Sequence, residues 1–149
     1  MSNYSFGSMW LELPIENVDK IIELFLSENK AANEEKERYF HRSTLASFDM
    51  QRVSEENAEV VISFTSAGSL GDCLIDIPYK EQNQNCIKLE DACKELEVVA
   101  LAAVGEEPVE GFKEKIRYVK GQGFHYDKTD KPYRLNDEAW DEWRANMEM

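Results

Sequence analysis

Residues 58–65, with the sequence AEVVISFT, carry the clearest alternation of apolar and polar side chains in the chain. Val60, Ile62 and Phe64 fall on one side of an extended chain, because successive side chains of a strand point to opposite faces. We therefore predict a half-buried strand here. Residues 39–50 supply a second strand-like stretch just upstream, so the two predict a β-hairpin closed by the acidic turn between them.

The segments before this hairpin predict a strand followed by a helix. Residues 5–13 resemble a strand, which Pro14 ends because proline cannot donate a hydrogen bond to a sheet. The helix is predicted over residues 17–28, with Asn17 as its N-cap. Its apolar positions recur at helical spacing and form one face: Val18, Ile21, Ile22, Phe25 and Leu26.

The segments after the hairpin repeat this pattern. Residues 87–96 predict a second helix, and residues 97–104 predict a buried strand, because they are continuously apolar from Val98 onward. Residues 105–111 read as an acidic turn, and the alternation over residues 112–120 predicts another strand. Residues 124–135 are polar and predicted to be irregular.

The end of the chain predicts a terminal helix over residues 136–149. Trp140, Trp143 and Met147 lie at positions i, i+3 and i+7, so they share one side of that helix. We interpret residues 1–149 as one domain, with a core over about residues 3–120 and an extension over residues 124–149 that carries the helix.

The predicted order is β-α-β-β-α-β, followed by an extra strand and the C-terminal helix. This order is that of the ferredoxin-like split β-α-β fold. The expected architecture is therefore α+β, with an antiparallel sheet and its helices on one face. The other face is left for a partner or for the terminal helix.

The charge balance restricts the kinds of partner. The 149 residues include 30 acidic and 17 basic ones, a formal net charge of −13. Direct binding to nucleic acid is disfavoured, because it needs cations that displace counterions from phosphates. A basic surface on another protein is the complementary partner. The competing interpretation is that the acids only keep the protein soluble.

Cysteine usage and hydropathy indicate a cytoplasmic protein. An odd number of cysteines, Cys73, Cys86 and Cys93, argues against a secreted disulfide framework. The longest apolar run, seven residues over 98–104, is far shorter than the roughly 18 residues of a membrane span. We expect no metal and no cofactor, because the cysteine and histidine spacing matches no metal-site pattern.

The stretch over about residues 60–120 resembles the YubB-like family of small phage- and plasmid-encoded proteins. The resemblance lies in Phe64-Thr65, Gly105-Glu106-Glu107, Gly111-Phe112 and residues 116–120. It implies a ferredoxin-like fold and an origin on a mobile element. It implies no catalytic residues, because the family has none established that match positions of this chain.

Two surfaces are candidates for binding a protein partner. One is the terminal helix, whose aromatic anchors and acidic rim suit a groove or a homodimer; the alternative is that its aromatic stripe packs on the sheet of the same chain. The other is the acidic turn, whose alternative is a solvated hairpin tip. The candidate residues are Trp140, Trp143, Asp137, Glu138, Asp141, Glu142, Glu106, Glu107 and Glu110.

A third surface could hold a small anion such as a nucleotide. Lys113, Lys115 and Arg117 alternate along the last predicted strand and so share one face. His41 and His125 are the residues best able to add acid–base chemistry. The alternative is that the cations balance nearby acids or protect an edge strand.

The sequence contains no nucleophile elbow and no phosphate-binding loop. We therefore predict a non-catalytic, acidic protein-binding module. Its most specific form is an inhibitor of a host nucleic-acid-binding defence protein, with acidic side chains in place of phosphates. The alternatives are a nucleotide sponge, a nucleotide-processing enzyme, or an accessory protein that self-associates.

Overall fold

The computed structural model describes residues 4–26, 38–77, 85–109 and 111–129. Its centre is a six-stranded antiparallel sheet in the order β2-β3-β1-β4-β5-β6. The α+β class predicted from the sequence is confirmed. The strands are β1 (Ser5–Pro14), β2 (Ser43–Arg52), β3 (Asn57–Ser66), β4 (Ala100–Glu107), β5 (Phe112–Val119) and β6 (Gly123–Thr129).

Among the described residues, two short α-helices connect the strands. Helix α1 (Val18–Glu23) lies between β1 and β2, and helix α2 (Leu89–Glu95) lies between β3 and β4. A 3-10 turn (Ile15–Asn17) precedes α1, and a π-helical turn (Gly71–Ile75) follows β3. No helix in the described part of the chain has the length and apolarity that a membrane crossing requires.

The core lies on one face of the sheet because the strands are in a common register. Met9 of β1 stands opposite Ile62 of β3 and Ala103 of β4, and all three are fully buried. Ile21 of α1 and Leu89 of α2 belong to the same apolar cluster. Both helices therefore cover this face, which we call the helix face.

The opposite face carries a small second cluster. Trp10, Ala100 and Ala102 form it, and Val119 packs against them. Trp10 is only 1% exposed. Neither helix contributes a residue to this cluster.

Helix α1 is shorter than the predicted helix over residues 17–28, because tertiary contacts take over its last turn. The Leu26 backbone N–H donates to the Ser43 carbonyl, and the Phe40 N–H donates to the Leu24 carbonyl. The Phe25 ring packs edge-on against Phe40, with 5.0 Å between the ring centroids. Pairing with the next chain segment replaces the helical hydrogen bonds.

Asn17 does not cap α1 as predicted. No side chain caps this helix. The Asn17 side-chain amide instead donates a 2.8 Å hydrogen bond to the carbonyl of Leu96, the C-cap residue of α2. A carbonyl at a helix end has no partner within the helix, so Asn17 supplies one and ties the two helix ends together.

Strand β4 continues through Glu107, so the predicted turn at residues 105–111 is wrong in its first half. The Leu70 side chain explains why a glycine stands in this strand. A Cβ atom at position 105 would lie 2.4 Å from Leu70 Cδ1. Gly105 thus marks a close approach of the loop after β3 to the sheet, not a turn.

The predicted irregular region begins instead with strand β6. Phe124 of β6 pairs with Tyr118 of β5, and their ring centroids are 6.2 Å apart. Lys128 lies over the Phe112 ring, 4.1 Å from its centroid. Aromatic contacts on the helix face therefore support a strand that has few aliphatic residues. The predicted terminal helix over residues 136–149 lies outside the described residues.

Candidate functional site

Four glutamates line one cleft at the end of the sheet where β1 finishes. Glu16 follows β1, Glu55 and Glu56 form the β2–β3 turn, and Glu97 precedes β4. Pro14, Ile15 and Asn57 complete the lining of this cleft of about 550 Å³. We call Glu16, Glu55, Glu56 and Glu97 the acidic end.

Backbone hydrogen bonds fix the turns that carry the acidic end. The Ile15 N–H donates to the Glu56 carbonyl over 2.8 Å, which joins the end of β1 to the β2–β3 turn. The Val99 N–H donates to the Glu12 carbonyl over 2.8 Å, which joins the segment after α2 to β1. Three turns that are distant in sequence therefore meet at one end of the sheet, because antiparallel strands begin and end there.

The acidic charge continues onto the sheet. Glu12 of β1 and Glu59 of β3 stand directly opposite each other on the face away from the helices. Both are half-buried, and the Asn57 side-chain amide donates to the Glu12 carboxylate over 3.4 Å. Like charges placed opposite each other in a sheet are destabilising, so this pair costs stability.

None of the salt bridges between described residues involves the acidic end. In the parts of the chain that the structure describes, the salt bridges join Arg38 to Glu95, Lys94 to Glu90 and Lys113 to Glu106. The negative charges of the cleft therefore add together and face solvent, since all four glutamates are exposed.

The acidic turn predicted as a binding site is largely engaged within the chain. Glu107 is 1% exposed, and its carboxylate accepts a 2.9 Å hydrogen bond from the Val109 N–H. Glu106 is exposed but pairs with Lys113, with 3.5 Å between the charged atoms. The other candidate residues for partner binding lie outside the described residues: Glu110, Asp137, Glu138, Trp140, Asp141, Glu142 and Trp143.

The basic strip of β5 lies on one face, as predicted. Lys113, Lys115 and Arg117 alternate on the face away from the helices, and Arg117 stands opposite His125 of β6. Acidic groups accompany them, because Lys113 pairs with Glu106 and Lys115 stands opposite Asp127. Neighbouring acidic groups therefore offset most of the positive charge of the basic strip.

A pocket of about 240 Å³ is lined by the start of β1, by β4 and by the basic strip of β5. Ser8, Val104, Glu106, Lys113 and Lys115 contribute to its lining. Lys113 is 5% exposed, so its ammonium group is largely withdrawn from solvent. The pocket offers the Lys113–Glu106 pair, the second cation of Lys115 and the Ser8 hydroxyl group to a small ligand.

Glu114, which also lines this pocket, is a buried carboxylate that secures the loop after β3. Glu114 is fully buried and accepts hydrogen bonds from the backbone N–H groups of Leu70, at 2.7 Å, and Gly71, at 2.9 Å. The Tyr126 hydroxyl donates to the same carboxylate over 2.5 Å. Burial, with this hydrogen bond, raises the pKa of Tyr126 above its usual range. Glu114 therefore has a structural role that the sequence did not reveal.

His41 does not join the basic strip. It precedes β2 at one edge of the sheet, whereas the strip lies on β5, with β3, β1 and β4 between. Four strand spacings correspond to roughly 19 Å. His41 is 8% exposed, and its Nδ1 atom lies 3.7 Å from Cys86 Sγ. Of the two histidines, the structure brings only His125 to the strip.

The acidic end was missed because its residues belong to separate turns. No local pattern connects Glu16 with the 55–56 pair or with Glu97. The signal that could have found them is topological. At one end of the predicted antiparallel sheet lie the end of the first strand, the hairpin turn and the start of the fourth strand.

The comparisons with known proteins provide no relative. No family model, no characterised protein and no solved structure matches the chain. Within the described residues, no group of three or more histidine, cysteine, aspartate or glutamate side chains is arranged to hold a metal ion.

Proposed function

We propose that this chain is a cytoplasmic, non-catalytic module that binds a basic surface of another protein through the acidic end. The supporting observation is the convergence of Glu16, Glu55, Glu56 and Glu97 on one cleft with no salt bridge to them in the described part of the chain. Clustered charges of one sign focus the electrostatic field and steer an oppositely charged partner.

The fold that presents this site is proposed to be ferredoxin-like. Strands β1 to β4 lie side by side in the order β4-β1-β3-β2 with antiparallel neighbours, and α1 and α2 follow β1 and β3. This strand order and these connections support the split β-α-β arrangement. Strands β5 and β6 extend the sheet beyond β4, on the side away from the β2–β3 hairpin.

The more specific proposal is mimicry of nucleic acid. Carboxylates held by backbone-bonded turns can replace the phosphates that a basic groove normally binds, because both present negatively charged oxygens to lysine and arginine. An inhibitor of a host nucleic-acid-binding defence protein would act in this way. That role agrees with the phage or plasmid origin that the YubB-like resemblance implies.

A pull-down from a bacterial lysate tests the proposal. The immobilised chain is expected to retain a basic protein at about 50 mM salt and to release it at about 500 mM, where charge interactions are screened. Added double-stranded DNA should displace the chain from that protein if the two compete for one surface. Retention that is insensitive to both salt and DNA would refute the electrostatic mechanism.

Anion binding on the basic strip is the second candidate function. The observation in its favour is that Lys113 and Lys115 line one pocket while Arg117 and His125 stand opposite each other on the same face. A bound nucleotide should raise the melting temperature, because a ligand of the folded state stabilises it. No shift with a panel of nucleotides, at concentrations where a control nucleotide-binding protein responds, would eliminate this candidate.

A further inference from the structure

The three cysteines of the chain occupy different environments. Cys73 and Cys93 are buried, at 1% and 0% exposure, whereas Cys86 is half-buried. Burial raises the pKa of the Cys73 thiol to about 12 and that of the Cys93 thiol still further. Since the thiolate is the nucleophile, burial disfavours reaction of these two thiols at neutral pH.

Cys86 is the thiol that lies beside an imidazole. Its Sγ atom lies 3.7 Å from Nδ1 of His41, within hydrogen-bonding distance for sulfur. In nucleophile–base pairs, an imidazole within hydrogen-bonding distance of a thiol is the group that takes its proton. The two residues are 45 positions apart, so the tertiary fold brings them together.

The backbone holds this pair in place. The Tyr39 N–H donates to the Asn85 carbonyl over 2.9 Å, and the Ile87 N–H donates to the Tyr39 carbonyl over 3.1 Å. These bonds clamp the segment of Cys86 against the segment of His41. The Ser43 hydroxyl donates to the His41 carbonyl, and the buried Phe40 anchors the same segment in the core.

The charged residues along the two segments are mostly cationic. Arg38 and Arg42 flank His41 in sequence, and Lys88 follows Cys86 by two residues. The guanidinium group of Arg38 pairs with Glu95. No aspartate or glutamate lies within residues 38–42 or 85–88.

We propose that Cys86 and His41 form a nucleophilic thiol–imidazole pair, and that Cys86 is a site of modification by low-molecular-weight disulfides. His41 Nδ1 takes the Cys86 proton, and the thiolate attacks one sulfur of the disulfide. The S–S bond of the reagent breaks as the new bond to Cys86 forms. The departing thiolate takes up the proton, so Cys86 is oxidised and one half of the reagent is reduced.

The test treats the full folded chain with oxidised glutathione and locates adducts by peptide mass mapping. We expect one adduct, on Cys86, with Cys73 and Cys93 unmodified. An unassisted thiol, with its pKa of about 8.5, loses about tenfold in rate per pH unit below that value. The wild-type rate should fall much less than this between pH of about 8 and about 7.

The variant His41→Gln should react about tenfold more slowly than wild type at pH of about 7 and at nearly the wild-type rate at pH of about 9.5, where the thiol ionises unaided. The matched control His125→Gln should react as wild type does. A wild-type rate with the full tenfold dependence per pH unit would overturn the proposal, even if His41→Gln failed to fold. Equal rates for wild type and folded His41→Gln at both pH values would overturn it as well.

Discussion

Glu97 is a residue whose backbone conformation conflicts with its side chain. Its φ angle is 56°, in the left-handed region that glycine adopts most easily. It follows Leu96, the C-cap of α2, and the Val98 N–H donates to the Cys93 carbonyl over 3.0 Å. This is the hydrogen bond of a Schellman motif, in which glycine is the usual residue at this position.

Replacing Glu97 by glycine should stabilise the fold. We expect Glu97→Gly to raise the free energy of unfolding by about 0.5–1 kcal/mol, because it relieves the left-handed conformation. Denaturant titration measures the change. Glu97→Ala is the control, since it removes the same charge but keeps a Cβ atom; equal stabilisation by both variants would show that charge, not conformation, is the cause.

Cys73 should make stability depend on alkaline pH. Burial raises the pKa of its thiol from 9.0 to about 12 in the folded state. Between these two pKa values, the folded chain holds a proton that the unfolded chain releases. The contribution of the Cys73 thiol to the free energy of unfolding is therefore fully present below pH 9, where the unfolded thiol is also protonated. It is lost progressively between pH of about 9 and about 12.

The measurement is the free energy of unfolding against pH for wild type and Cys73→Ala. Between pH of about 9.5 and about 10.5, the free energy of unfolding of wild type should fall more steeply than that of Cys73→Ala. The difference in slope should be about 1.4 kcal/mol per pH unit, the slope of one proton. Cys93, whose pKa is also raised, remains in both proteins and cancels from the difference. Parallel curves would contradict the assignment of the Cys73 proton.

At the scale of the elements, alternation predicted the strands whose one face lies in the core. Strand β3 was predicted over residues 58–65 and spans Asn57–Ser66. Helix α1 and strand β6 were predicted less well because tertiary contacts determine them. The pairing of residues 24–26 with residues 40–45 shortens α1, and pairing with β5 makes residues 123–129 extended.

The Glu12–Glu59 pair offers a test at this scale. Glu59→Gln should raise the free energy of unfolding by about 0.2–1 kcal/mol at low salt, because it removes a like charge directly across the sheet. The gain should shrink in high salt, which screens the repulsion. Asp49→Asn on β2 is the control, since Asp49 stands opposite the uncharged Val61. A salt-independent gain would point to a cause other than repulsion.

At the scale of the whole molecule, the net charge was visible in the sequence but its distribution was not. The sequence predicted a binding site at the turn of residues 105–111. In the structure, Glu107 is buried and Glu106 is paired with Lys113. The acidic end forms only when three turns meet at one end of the antiparallel sheet. Such a site depends on strand order, which no single segment encodes.

The central claim is that the acidic end, and not the overall charge, binds the partner. Its most direct test compares two variants of equal net charge. One carries Glu16→Gln, Glu55→Gln, Glu56→Gln and Glu97→Gln at the acidic end. The other carries Asp49→Asn, Asp72→Asn, Asp76→Asn and Asp91→Asn at exposed positions elsewhere.

The measurement is the affinity of each variant, at about 50 mM salt, for the basic protein that the wild-type chain retains. We predict that the acidic-end variant binds at least about tenfold more weakly than wild type, because charges at the contact act at short range. The control variant should stay close to the wild-type affinity. Equal weakening by both variants, or undiminished binding by the acidic-end variant, would contradict the account.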